Sequence, residues 1–296
     1  MIEIQDGGSD LAKVNSGLPN KPRTPLTVGQ LELALLSRFP REDAEEWDRM
    51  GMLVGDPAAL VTGVAVALDP TPDAVRAADA AGANVLLTHH PAFLDAPDVF
   101  SPSFAAASSA GVAVYEAAAR GIALVNVHTA LDASVEATRL FPRMLNFDFE
   151  QLLAPLPGKP DKGYAVSCRV REQDAPFKLA HLAARATSVF GRQPRVWGDP
   201  DISLDRVAVC NGSASSFVDT CLDAGVDCLL CGEIRYHSAL DAASAGLAIV
   251  EVGHDVSEFP LCALLAQAAT EAGVPQDALT MLDQSANWQY PEATRV

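Results

Sequence analysis

The 296-residue sequence lacks any apolar run approaching the roughly 18 uninterrupted residues that a membrane-crossing helix needs. It also lacks a basic and then hydrophobic leader, because the N-terminus opens on acidic and glycine residues; the expectation is a cytoplasmic protein without a membrane partner. Basic side chains are scarce, with 21 Lys and Arg against 38 Asp and Glu and a net charge of −17. Such a surface repels phosphate backbones on average, so nucleic acid is not expected as a partner. A small anionic substrate stays compatible, since bound divalent ions would reverse the local potential. The six cysteines sit in apolar segments, as reduced buried thiols do, which excludes a secreted disulfide framework. Cys228 and Cys231 have CxxC spacing, but no second pair exists to complete a zinc site, and the run around them reads as a buried strand.

What the chain does have is material for a core, 49% of it hydrophobic, arranged in an alternating pattern. Residues 1–24 are polar and aperiodic and are expected to form a disordered tail. Thr27 and Gln30 make a capping-box pattern ahead of Leu31, Leu35 and Phe39 at helical spacing, and Pro40 ends that first helix. From residue 61, short β-branched or Leu-rich runs (61–68, 84–88, 122–127) alternate with Ala-rich amphipathic stretches (72–81, 104–120). Continuous apolar strands separated by helices imply crossover connections and a mainly parallel sheet covered on both faces. The expected organisation is a first α/β half over 25–150, a Pro-rich linker over 151–162, and a second α/β half over 163–296.

The two halves read as a pseudo-repeat. Placing Val64 on Val207 aligns VAVALDPTPDAVRAADAAGANVLLTHH with VAVCNGSASSFVDTCLDAGVDCLLCGE without a gap, and GIALVNVHTALD from Gly121 matches GLAIVEVGHDVSE from Gly246. Two matches in the same order favour an internal duplication, giving two interlinked α/β halves with a metal cleft between them.

Four of the six histidines stand where a strand has just ended: His89 and His90, His128, and His254. Ligands of open α/β sheets bind beyond the carboxyl ends of strands. Asp132 follows His128 by four residues and Glu258 follows His254 by four, so each repeat delivers an imidazole and a carboxylate from a comparable place. One histidine at a strand end is usually a satisfied capping residue; matched sets from two repeats suit a pair of divalent ions instead. Imidazoles with carboxylates and no nearby thiolate fit Zn, Mn or Fe(II), and two such ions can activate water for hydrolysis. Glu233 and His237 follow the strand that corresponds to the one before His90, and they are candidates for proton transfer at the same cleft. His181, inside the helical stretch 177–190, reads as structural. The Gly212-Ser213 and Ser215-Ser216 pairs precede a helix, where backbone N–H groups could cradle an anion.

The spaced elements EEWDRMGMLVGDP from Glu45, ALDPT from Ala67, THHPAF from Thr88, NVHTALDA from Asn126, CGEIRYHSAL from Cys231 and GHDVSEFP from Gly253 resemble those of the GTP cyclohydrolase 1 type 2 homologues, also described as NIF-three-like dinuclear-metal proteins. The resemblance runs from Leu31 to about Leu282. It implies that His89, His90, Asp132, His254 and Glu258 ligate two divalent ions, with His128 beside them as a further ligand, a neighbour of the ligands or a substrate contact. It also implies a homohexameric ring. The activity it suggests is metal-dependent hydrolysis of a small, nucleotide-like substrate, with Glu233, His237 and His128 in catalytic roles. A non-enzymatic metal carrier, regulator or protein-interaction ring is the alternative. Two stretches depart from the family pattern: ASVEATRLFPRML after Asp132, and KPDKGYAVSCRV ahead of the second half.

Overall fold

The structure, a computed structural model, describes residues 25–288. The expected tail over 1–24 lies outside the described residues. The first helix, α1 (Val28–Arg38), begins as the capping box requires: Thr27 Oγ1 accepts from Gln30 N at 3.2 Å, and Gln30 Oε1 accepts from Thr27 N at 2.9 Å.

Then follow β1 (Gly51–Val54), β2 (Val64–Ala67), α2 (Pro72–Ala80), β3 (Val85–Thr88), α3 (Ser109–Arg120), β4 (Ala123–Asn126), α4 (Thr129–Asp132) and α5 (Val135–Met144). Helix α3 starts later than its Ala-rich pattern suggested, because Ser108 accepts a hydrogen bond from Gly111 N and sets the cap there. The second series comprises β5 (Asp148–Leu156), β6 (Lys159–Arg169), α6 (Leu179–Phe190), β7 (Arg195–Trp197), β8 (Arg206–Ser213), α7 (Val218–Asp223), β9 (Cys228–Glu233), α8 (Tyr236–Ser244), β10 (Ala248–Glu251), α9 (His254–Glu271) and β11 (Leu279–Met281).

These elements form two sheets, ordered β1-β4-β3-β2-β11 and β5-β6-β8-β9-β10-β7. The heart of each is three parallel strands, and the registers repeat: Val64 faces Val85 across β2 and β3 as Val207 faces Cys228 across β8 and β9. An antiparallel strand closes the same edge in both, β1 on β4 and β7 on β10. The halves are interlinked because β11, at the end of the second series, returns to pair in parallel with β2 of the first sheet.

Strand periodicity explains the packing. Val64, Val66, Val85, Leu87 and Val125 of the first sheet, and Val207, Val209, Leu230 and Val250 of the second, all enter one shared core with Leu261, Cys262 and Leu265 of α9. The alternate positions enter outer cores, Ala65, Leu86 and Leu124 on one side and Ala208, Leu229 and Ile249 on the other. Both faces are therefore apolar, the condition that makes these strands read as continuous hydrophobic runs. Helix α9 lies between the sheets.

The expected linker over 151–162 is instead most of a hairpin within the second sheet. Its prolines hid it, yet they are tolerable where they stand: β5 is an edge strand, and Pro157 with Gly158, at φ +72°, forms the tight turn. The division of the chain into consecutive halves is accordingly not the division of its strands into sheets. His181 is structural, as expected; its Nδ1 accepts from Lys178 N at the start of α6. All six cysteines are buried free thiols. Among the described residues, no helix is long and apolar enough to cross a membrane.

Candidate metal centre

Equivalent strand ends of the two sheets meet across α9. Strand β3 delivers His89 and His90, the turn after β4 delivers His128 with Asp132 one helical turn later, and the first turn of α9 delivers His254 and Glu258. These six residues form three overlapping groups able to hold an ion: His89, His90 and His128; His90, His254 and Glu258; and His89, Asp132 and Glu258. Within each group the candidate ligand atoms lie within 4.8 Å of one another.

Each imidazole is oriented by an oxygen at its Nδ1. For His89 this is Val127 O at 3.1 Å, for His90 Asp69 Oδ1 at 2.7 Å, for His128 Asp48 Oδ1 at 2.9 Å, and for His254 Glu233 Oε1 at 3.2 Å. With Nδ1 so engaged, all four rings leave Nε2 to face the cluster, the arrangement by which outer carboxylates and carbonyls orient metal-binding histidines. Asp48 is itself held, accepting from Thr129 N at 3.0 Å and Thr129 Oγ1 at 2.5 Å on Oδ2; burial opposes its charge, but the bond to His128 prevails and holds its carboxyl down at about 2. Asp132 Oδ1 accepts from Asn211 Nδ2 at 2.5 Å.

The donor set fits a cation. A carbonyl opposite Nδ1 requires that nitrogen to carry the proton, so His89 Nε2 is a lone pair; burial drives the ring's pKa down to about 3 and keeps it neutral. That Nε2 is fully buried and has no hydrogen-bond partner among the described residues, yet it lies 3.5 Å from Asp132 Oδ1 and 3.9 Å from Glu258 Oε1. A lone pair aimed at carboxylate oxygens is repulsive unless a positive charge stands between them. Burial and the neighbouring Glu258 carboxylate push Asp132 up to about 7, the like-charge cost that a cation would remove. Glu258 Oε2 accepts from His90 Nε2 and His254 Nε2, each at 2.9 Å; burial opposes ionisation, but these bonds hold its carboxyl well below the usual range.

Every residue expected to bind metal reaches the cluster, and His128 joins it in the one group it shares with His89 and His90. Glu233 is exposed and holds His254. His237 does not join them. It lies in the first turn of α8, whose buried face is Ala239 and Ala242, so it turns outward beside Tyr236, with ring centroids 5.3 Å apart. The anion cradle at Gly212 is also not formed, because Gly212 N donates to Ser257 Oγ at 2.9 Å. Gly212 serves the cluster by its small size: a Cβ there would come within 2.1 Å of Glu258 Oε1, and φ is +57°. A Gly212→Ala variant should therefore fold with a displaced Glu258 and bind divalent metal about tenfold or more weakly, as disturbed outer-layer groups of metal sites do, measurable by competition with a fluorescent chelator. Asp48, Asp69 and Asn211 were missed: Asp69 and Asn211 stand near the ends of β2 and β8, a signal read only for histidines, and Asp48 lies in a loop within a motif that marks no role for it.

Fold and cluster define a class: two-sheet α/β proteins with a histidine and carboxylate site, able to hold metal, between the strand ends. The chain belongs to the Duf34/NIF3 (NGG1p interacting factor 3) family, whose model matches residues 26–283. A relative from Streptomyces coelicolor, named GTP cyclohydrolase 1 type 2 homolog, is 34% identical over 80% of this chain and 83% of its own. One of the same name from Clostridium acetobutylicum is 29% identical over 73% and 79%. The fold is shared with a hypothetical protein of Staphylococcus aureus (TM-score 0.79, 20% identity, 90% of this chain and 100% of that one). It is shared too with reduced HcgD of Methanocaldococcus jannaschii (TM-score 0.71, 19% identity, 88% and 99%).

Proposed function

We propose that the chain is a dinuclear metal-dependent hydrolase acting on a nucleotide-like substrate, with Zn, Mn or Fe(II) held by His89, His90, His128, Asp132, His254 and Glu258. The observation that carries this reading is the bare, buried Nε2 of His89 facing two carboxylates, in a set of four imidazoles that all present the same nitrogen. Six donors in three overlapping groups supply more ligands than one four-coordinate ion needs. Divalent ions there would supply Lewis acidity and acidify water for attack.

The chain's own residues then do the following. Asp48, Asp69, Val127 and Glu233 fix the rings, so that little reorganisation is required during reaction. Glu233, exposed and bonded to His254, is placed to take up a proton at the edge of the cluster. The curated relatives' name, GTP cyclohydrolase 1 type 2 homolog, supports a nucleotide heterocycle as substrate class. The reading includes a homohexamer, for which light scattering should give six times the chain mass.

Protein stripped with chelator and reloaded with Mn, Fe(II) or Zn should turn over GTP or a related heterocycle. An Asp132→Ala variant should be slower by about two orders of magnitude or more. Equal rates in the two, or no turnover by any loaded form, would remove the hydrolase assignment.

A further inference from the structure

A cavity of about 480 Å³ adjoins the cluster at His254 and Glu233 and is lined beyond them by Arg192, Arg195, Glu251 and Trp288. One group in it is left unexplained by folding or by metal binding. Glu251 ends strand β10, the position from which open α/β sheets present ligand contacts, and is only 6% exposed. Its Oε1 accepts from Arg195 Nη2, while its Oε2 is fully buried without a hydrogen-bond partner among the described residues. A bare carboxylate oxygen in such surroundings is costly and calls for a donor. The two arginines differ in what they have left to offer. Arg192 is committed, with both terminal nitrogens on Asp255 and its guanidinium 4.0 Å from the centre of the Trp288 ring. Arg195 bonds Glu251 through one nitrogen, and its side chain is 65% exposed, so further N–H groups remain available.

We propose that Glu251 and Arg195 form the recognition edge of a substrate subsite beside the metal cluster, reading a cyclic lactam, a ring N–H next to a ring C=O. Glu251 Oε2 accepts the ring N–H, and the Arg195 guanidinium donates to the carbonyl. An exocyclic aromatic amine beside a ring nitrogen offers the same order of donor and acceptor, but a lactam N–H is the more acidic donor and makes the stronger bond to an anionic oxygen. The inference rests on the hydrolase reading for the role of the subsite, and names the substrate class it would take.

The test is calorimetric binding of guanosine, 1-methylguanosine and adenosine to metal-loaded protein. Guanosine should bind, with methylation of its ring nitrogen weakening it about tenfold to a hundredfold, as sites built to pair an N–H reject analogues without it, and adenosine, whose amine is the weaker donor, should bind more weakly than guanosine. In a Glu251→Gln variant with wild-type metal content, guanosine should weaken and the penalty for methylation should shrink. No guanosine binding, equal binding of the three nucleosides, or unchanged discrimination in Glu251→Gln would overturn the proposal. If that variant does not fold, the wild-type comparison decides alone. Discrimination without turnover leaves the subsite and removes the hydrolase reading, whereas turnover without discrimination does the reverse.

Discussion

Glu258→Ala protein is expected to emerge from dialysis with divalent metal at background, where wild-type protein retains it. Glu258 belongs to two of the three ligand groups, and its Oε2 joins His90 to His254. Asp132 is held by Asn211, and Glu233 stands exposed on the Nδ1 side of His254, so neither carboxylate occupies the place where Glu258 joins the two histidines. Stability should fall as well. In chelator-treated protein Glu258 is the buried counter-charge of two imidazoles, and breaking such a pair costs about 3–5 kcal/mol. The lower end applies here, because His254 keeps a third of its side chain in solvent. Urea denaturation of both proteins in chelator measures that loss, and elemental analysis measures the first. A Glu258→Ala protein that holds metal as wild type does would dissolve the cluster as a metal site.

Metal uptake by chelator-stripped protein is expected to release protons and to tighten steeply with pH. Burial disfavours charge on His90, but the Asp69 and Glu258 carboxylates outweigh it and hold the ring's pKa up at about 10; Glu258 does the same for His254, to about 9. Both rings therefore carry two protons at pH 7, and each must give up one before Nε2 can bind an ion. Every proton displaced contributes about tenfold in apparent affinity per pH unit. Affinity should rise by up to about a hundredfold per unit from pH 7 toward 9, by about tenfold per unit from there toward 10, and flatten beyond. Asp132, raised to about 7, adds a further dependence on the acid side. Calorimetry with Mn in buffers of different ionisation enthalpy counts the protons. A flat profile with none released would take His90 and His254 out of the ligand set. Without metal the same rings act oppositely on folding. Their raised pKa values give stability fully present below about 6.5 and lost as pH climbs through about 9 to 10.

Much of this was legible in the residues because the relevant signals are local. Strand runs such as VLLT and ALVN, capping residues such as Thr27, and a histidine immediately past a strand each depend on a few neighbours in the chain. Duplication made the cluster readable too, because matched turns in equivalent sheets must lie at the same edge. His237 was misplaced for the converse reason: nearness in sequence to Glu233 does not carry it to the cleft, because Glu233 ends β9 whereas His237 lies on the exposed face of α8, which starts at Tyr236.

Sequence alone therefore determined the α/β class, the duplicated strand pattern and the six residues of the cluster. Tertiary structure alone decided that 148–169 is a hairpin, that β11 crosses back to the first sheet, and which oxygen orients each ring. Those facts rest on pairings between distant positions: His128 with Asp48 80 residues away, Asp132 with Asn211 79 away, His90 with Glu258 168 away. A side chain's propensity says where a strand ends; only the packing of both sheets against α9 says which oxygen it will meet.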